Sequence, residues 1–366
     1  MSTEDAAITV VVGADVRLEP TESLTTSSHR FSLYRFARRS ETGAFFGTVA
    51  VFVFFTAIGG SKFLSFGGFS SWINVAAELG IVAVPVGVLM IAGELDLSVG
   101  SVLAGSSMTL AIASGYWHAP IVVGIIAALV VGGSVGLLNG VITTRTKVPS
   151  FVVTLGTNFG LAGLTLGLSR AITGTTSVSL TMNPVAHAMF GTLLFGQLEV
   201  SVFWCLGVAL IVAWVLQKTP WGNWVFAIGG DQGSARAAGI PVAGTKIWLF
   251  VVSGLGAALV GIIQTALYNG AQTATGQSFV FNSIIAVVIG GVLLTGGYGS
   301  VIGVLFGTLT LAIVSEGIYY TGWNSDWANL ILGVLLLAAV LLNNTFRRLA
   351  LAGGNRSNMA PRTRGK

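Results

Sequence analysis

Apolar and polar positions alternate along the chain in blocks far longer than those of a soluble protein. Windows of about 17 to 23 residues, long enough to cross a hydrocarbon core of ~30 Å as helices, fall near 44–60, 72–92, 99–115, 120–142, 151–170, 198–217, 246–268, 279–294, 299–320 and 327–345. The pattern predicts an all-α polytopic membrane bundle of about ten transmembrane helices. It spans 44–345, between a polar N-terminal tail, 1–43, and a basic C-terminal tail, 346–366. The long polar interval flanked on both sides by membrane-length runs is Lys218 to Lys246, KTPWGNWVFAIGGDQGSARAAGIPVAGTK. It is expected to be a loop at a membrane surface. Within it Asp231 can cap a short helix over Gln232 to Ala238, which Gly239 and Pro241 stop. Ser234, Ala235, Ala237 and Ala238 give that helix a small, smooth face, and Arg236 adds a charged contact.

Composition agrees with the periodicity. Hydrophobic residues are 53% of 366 positions and charged residues 8%, against ~25% charged in a soluble domain. Fifty glycines without a collagen period suit closely packed membrane helices. The fourth window carries Gly124, Ala128, Gly132, Gly136 and Gly140 at four-residue spacing, and the ninth carries Gly299, Gly303 and Gly307. Both ladders are expected to be packing surfaces. One cysteine, Cys205, excludes a disulfide framework, and three scattered histidines make no metal cluster.

Charge orients the chain. When the windows alternate from an inside start, every Lys and Arg of the 18 falls inside except Lys62 and Arg170, as the positive-inside rule requires. The 218–246 loop and both termini are then cytoplasmic. The formal charge of +5 therefore reflects tails and loops on one membrane face, not a nucleic-acid surface.

Candidate chemistry is sparse. Glu94 and Asp96 in GELDLSVGS cannot face lipid at mid-depth, where each acid costs ~3 kcal/mol and a leucine returns only ~0.5. They mark either the cytoplasmic end of the second span or a break facing a polar cavity, and Asp96 with Ser98 and Gly100 also makes an N-cap. Thr154, Thr157 and Asn158 share one helical face. They serve either as interhelical hydrogen bonds or, with Phe151, as lining for a polyol; Gln264 and Asn282 are further neutral candidates. GGSVG at 132–136 matches a serine-hydrolase pattern, but Ser134 sits mid-helix, which excludes the strand-to-helix elbow that chemistry needs. The long outer segment 171–197 is uncharged and suits a docking surface or a short interfacial helix.

Several stretches, in order over roughly 70–345, resemble one family. GELDLSVGSV is similar to GGxDLSVGS, NGVITTRTKVPSFVVTLGT to NGxxxxxxxxPxFIxTLGT, GGDQGSARAAGIPV to GGNxxAAxxxGIPV, and IIAVVIGGVLLTGGYGSVIGVLFGT to xIAAVVIGGxxxxGGxGSxxGTxxGA. The chain is thus similar to the membrane subunit of ribose-type, binding-protein-dependent ATP-binding-cassette (ABC) importers in a bacterial inner membrane. The resemblance implies a non-enzymatic permease without cofactors, a second permease subunit, an external sugar-binding protein, and an ATP-binding subunit docking on Gly229, Gly230, Asp231, Ser234, Ala235, Arg236, Gly239 and Ile240. It implies a sugar pathway near Asp96, Ser98, Phe151, Thr154, Asn158, Gln264 and Asn282. Glu94 replaces the second glycine of the DLS motif, and Asn282-Ser283 stand where Asp-Ala is common. Independently, the chain has no G-x-x-x-x-G-K-[ST] phosphate loop, so ATP must be bound elsewhere. The rival classes are an ion-coupled carrier using Glu78, Glu94, Asp96 or Glu316, and a branched-chain amino-acid permease of the same superfamily.

Overall fold

The computed structural model describes residues 40–324 except 147, together with 326, 327, 330, 331, 333, 334 and 337. The tails at 1–39 and 346–366, and most of the tenth window, lie outside the described residues. Seven described helices are long and apolar enough to cross a membrane. They are α1 (Ser40–Leu64), α2 (Phe66–Ile91), α4 (Ile121–Arg145), α5 (Ser150–Thr173), α7 (Ser201–Lys218), α10 (Val242–Leu267) and α12 (Val301–Gly317). The third and eighth windows form shorter helices. Val99–Leu110 (α3) continues into a π-helical turn, Ala111–Tyr116, and Gln277–Ile289 is α11. The chain is therefore an all-α multi-pass membrane protein. Its connections hold only short elements: β1 (Ser177–Ser179), α6 (Pro184–Phe190), β2 (Leu193–Leu194), β3 (Leu198–Glu199), α8 (Pro220–Gly230), α9 (Gln232–Ala237) and β4 (Gly270–Gln272).

α2, α10 and α12 form the interior, while α1, α4, α5 and α7 lie outside them with apolar faces exposed. With no water-driven force between helices in lipid, close contact depends on small residues. The α4 ladder does this: Gly132, Gly136 and Gly140 lie against Gly254, Phe250 and Ile247 of α10, so the two helices run antiparallel. A Cβ at Gly136 would collide with the Phe250 carbonyl oxygen. In α12, Gly303 and Gly307 lie in the same way against Gly290 and Ala286 at the end of α11. Ser134, on exposed α4 surface, is mid-helix as expected.

These pairings put residues 92–98, 146, 148–149, 219–241 and 290–300 at one end of the bundle and 174–200 and 268–276 at the other. At that second end β1 and β4 pair antiparallel, Val178 opposite Ala271. The long segment after α5 forms the short helix α6, with Val185 and Met189 exposed. Asn183 caps it, accepting from the Ala186 amide at 2.9 Å, and Phe190 stacks on Trp204 with centroids 5.3 Å apart.

Candidate coupling site

The polar interval between α7 and α10 is more structured than its composition suggests. Thr219-Pro220 starts α8, with proline at a first-turn position where its missing N–H costs nothing. Gly222, Val225 and Ile228 recur at three-residue spacing and turn inward, so α8 is an amphipathic helix within the expected loop. Asp231 then caps α9, its Oδ1 accepting from the Ser234 amide at 2.6 Å. The bond from Ser234 holds this exposed carboxyl below the usual carboxylate range. Gly239, at φ 79°, ends the turn with its amide on the Arg236 carbonyl.

Asp231, Ser234, Arg236, Ala237, Ala238 and Gly239 are exposed and Ile240 is half-buried. Ala235 is not part of that face: it is 3% exposed and packs into the chain's own core, because on so short a helix one residue in each turn must anchor it to the bundle. Gly229 likewise faces inward, where any Cβ would strike the Ile91 carbonyl oxygen at the end of α2, while Gly230 is exposed. That same carbonyl accepts from the Gly297 amide at 2.8 Å. The loop, the end of α2 and the glycine turn at 296–299 thus meet backbone to backbone.

Directly beyond Ile91 lies the acidic stretch. Gly93, at φ 83°, ends α2 in a Schellman motif, with the Gly93 amide on Met90 O and the Glu94 amide on Leu89 O. Residues 94–98 are non-helical and leave backbone donors inside the bundle. Two are met by α5: the Leu95 amide donates to Ser150 Oγ and the Leu97 amide to Thr154 Oγ1, both at 3.1 Å. The spacing explains the fit. Two residues of extended chain rise ~6.6 Å and four residues of helix ~6 Å, so the hydroxyls stand in register with alternate amides.

The carboxylates are individually satisfied. Asp96, 1% exposed, accepts from the Ser98 amide at 2.9 Å, Ser98 Oγ at 2.6 Å and Ser253 Oγ at 2.7 Å. The N-cap expected of Asp96 is therefore an Asx-type turn. Ser98 is the N-cap residue of α3, but its hydroxyl is engaged by Asp96 and by Asn139 Nδ2 at 2.9 Å and makes no capping bond. Thr157 completes the chain by donating to Asn139 Oδ1 at 2.7 Å. Glu94 pairs with Lys246 of α10, both nearly buried, in the one ion pair among the described residues. Lys246 and Ser253 are seven apart, two helical turns, so one face of α10 reaches both acids.

The residues expected along a pathway scatter. Thr154 is fully buried and Asn158 is 6% exposed, whereas Phe151 is 49% exposed on the outer face of α5. Gln264, 7% exposed, lies nearer the opposite end and donates to Glu78 Oε2 at 2.7 Å. Asn282 is half-buried on α11. Sequence reasoning missed Asn139, Ser150, Lys246 and Ser253. The available signal was a lysine at the edge of an apolar window, at the same membrane face as Glu94.

Comparison with known proteins decides the family. The permease family described as "Branched-chain amino acid transport system / permease component" matches residues 68–340. The chain belongs to this permease family. Among named relatives, the fructose import permease of Rhizobium meliloti is 30% identical over 81% of this chain and 83% of its own length. The ribose import permease of Escherichia coli K12 is 32% identical over 72% and 81%. That of Bacillus subtilis is 34% identical over 72% and 80%. No solved structure matches the chain at a significant level. The family match includes α2 to α12, so the junction at 91–98 and the 218–246 loop both lie within the shared permease body.

Proposed function

We propose that the chain is the membrane-spanning subunit of an ABC importer for a monosaccharide or sugar alcohol delivered by an external binding protein. A separate ATP-binding subunit docks on the 218–246 loop from the cytoplasm of a bacterial cell, with both termini on that side of the inner membrane. The observation that carries this reading is α9: a capped, small-residue helix with Ser234, Arg236, Ala237 and Ala238 outward, seated by Ala235 and Gly229 on the ends of membrane helices. A surface of that kind lets another backbone come close and is joined rigidly to the bundle. The printed names of the relatives, ribose and fructose import permeases, support a sugar as cargo.

Two further features favour this reading over its rivals. Of the carboxylates an ion-coupled carrier would use, Glu94 is held by Lys246 and Asp96 by three donors, which leaves that rival Glu78, bonded through one oxygen to Gln264, and Glu316. A zwitterionic amino acid would need unpaired charges of its own, while the groups near α5 are neutral amides and hydroxyls. The outer face of α5 suits a second permease subunit and the cargo path between the two. Gly156, Gly160, Gly163 and Gly167 have open space where a Cβ would stand, and Phe151 and Phe159 project beside them.

The test is reconstitution with the ATPase and binding protein in proteoliposomes. Ser234→Trp should abolish ATP-dependent uptake and ATPase co-purification while the melting temperature stays at the wild-type value. Uptake driven by an ion gradient without any ATPase, undiminished by Ser234→Trp, would establish a carrier instead.

A further inference from the structure

The 218–246 loop meets the junction beyond α2 at two separate points, and only one of them is backbone. Its first contact is Gly229 against Ile91 O and Gly297. Its second is Lys246, one turn into the helix that carries the chain out of the loop, paired with Glu94 just beyond the end of α2 at Ile91. Between these contacts residues 94–98 are non-helical, and beyond the Glu94 amide they lean on side chains instead of helix backbone. They are held by side chains of α4, α5 and α10: Asn139 through Ser98, Ser150, Thr154 and Ser253. A segment fixed by side-chain bonds to three different helices moves when those helices move relative to one another.

We infer that Glu94 and Lys246 are a positioning pair for transport: an ionic tie that carries displacement of the docked loop to the 92–98 junction and so to α4 and α5. The inference rests on the importer reading above. A hydrogen bond between neutral groups could stabilise the fold equally well, but a buried ion pair resists separation because each partner would be left as an uncompensated charge. α10 and the junction are therefore obliged to shift together. The pair spans 152 positions of sequence and joins the exit of the loop to the stretch that orients Asp96, Ser98 and Thr154.

The experiment measures sugar molecules moved per ATP hydrolysed in proteoliposomes holding the permease, its ATPase and its binding protein. Radiolabelled ribose, fructose or xylose serves as probe, whichever the wild type accumulates. Glu94→Gln and Lys246→Met should each lower this ratio at least fivefold while the ATPase still co-purifies. Charge exchange, Glu94→Lys with Lys246→Glu, should bring it back within twofold. Because a single change can unfold the junction, the deciding variant is the apolar pair Glu94→Leu with Lys246→Met. Replacing both charges keeps packing without the tie, so its melting temperature should match or exceed wild type while the ratio stays at least fivefold down. A wild-type ratio in that double variant would overturn the inference and leave the pair as structural support. Failure of the importer reading looks different: the wild type itself would show no ATP-dependent uptake, and the tie would fall with it.

Discussion

At the residue scale, Asp231 shows how a solvent-exposed charge can govern the element proposed for docking. Its bond from Ser234 favours the ionised form, so its folded-state pKa lies below the unfolded value. The sign follows from proton linkage: the cap's contribution is complete above the unfolded pKa, ~4, and is lost as pH falls through the folded one. Amide-exchange protection of residues 234–238 should therefore be flat above about pH 4 and fall below it in the wild type. Asp231→Asn, which still accepts the bond without titrating, should show no such fall, and Asp231→Ala should lack the protection at every pH. Glycines divide in the same residue-by-residue way. Gly136→Val would drive a side chain into the Phe250 backbone and should destabilise the bundle by about 1–3 kcal/mol, read as a lower melting temperature in detergent. Gly163→Ala, with nothing near its Cβ position, should leave the melting temperature unchanged. The α4 ladder was legible because four-residue spacing aligns small residues on one face. That Ala235 turns inward was not legible, since four of the five residues Ser234–Ala238 are small and could each have been the buried one, and only the seat beneath them chooses.

At the element scale, α5 is where hydroxyls substitute for a missing helix. Ser150 and Thr154 receive the amides of Leu95 and Leu97, and Thr154 also donates to Ser150 O at 2.9 Å. Thr154→Val keeps the shape but leaves the half-buried Leu97 amide without its acceptor, a loss of about 1–3 kcal/mol. The expected outcome is reduced thermal stability of the whole permease, measured in detergent. Reduced transport at unchanged stability would instead place Thr154 in the pathway. The long spans were readable because apolar runs of membrane length have one solution in lipid. The short helices α3 and α11 were legible in position, since the windows at 99–115 and 279–294 begin at or close to Val99 and Gln277, but not in where their α-helical part stops, at Leu110 and Ile289. Gly276, at φ 91°, sets the start of α11 against Gly100 of α3, a contact across 176 positions that no local window contains. The ion pair of Glu94 with Lys246 is hidden for the same reason. Local pattern shows that each charge needs a partner, and only the packing of α10 on α2 and α3, with Gly256 against Ile81 and Gly261 against Leu103, brings the two neighbourhoods together.

At the scale of the whole molecule, the close glycine contacts fix which loops share an end, and charge predicts which way that end faces. Gly140 of α4 lies against Ile247 of α10, so the α4–α5 connection and the exit of the 218–246 loop are on the same side, with Arg145, Lys218 and Arg236. The β1–β4 pairing gathers 174–200 and 268–276 at the opposite end, and neither stretch carries a Lys or Arg. Cationic loops are retained on the cytoplasmic side because moving them across the bilayer against the membrane potential is unfavourable. Reporter fusions after residues 146 and 230 should accordingly read cytoplasmic, and one after residue 185 external. The three sites test one rigid arrangement, so they must agree as a set. An external signal at 230 with a cytoplasmic one at 185 would invert the molecule, put α9 out of reach of any ATP-binding subunit, and remove the ground for a docking loop altogether. A cytoplasmic signal at both 185 and 230 is incompatible with α7, whose 18 residues from Ser201 to Lys218 are the only crossing between those two points.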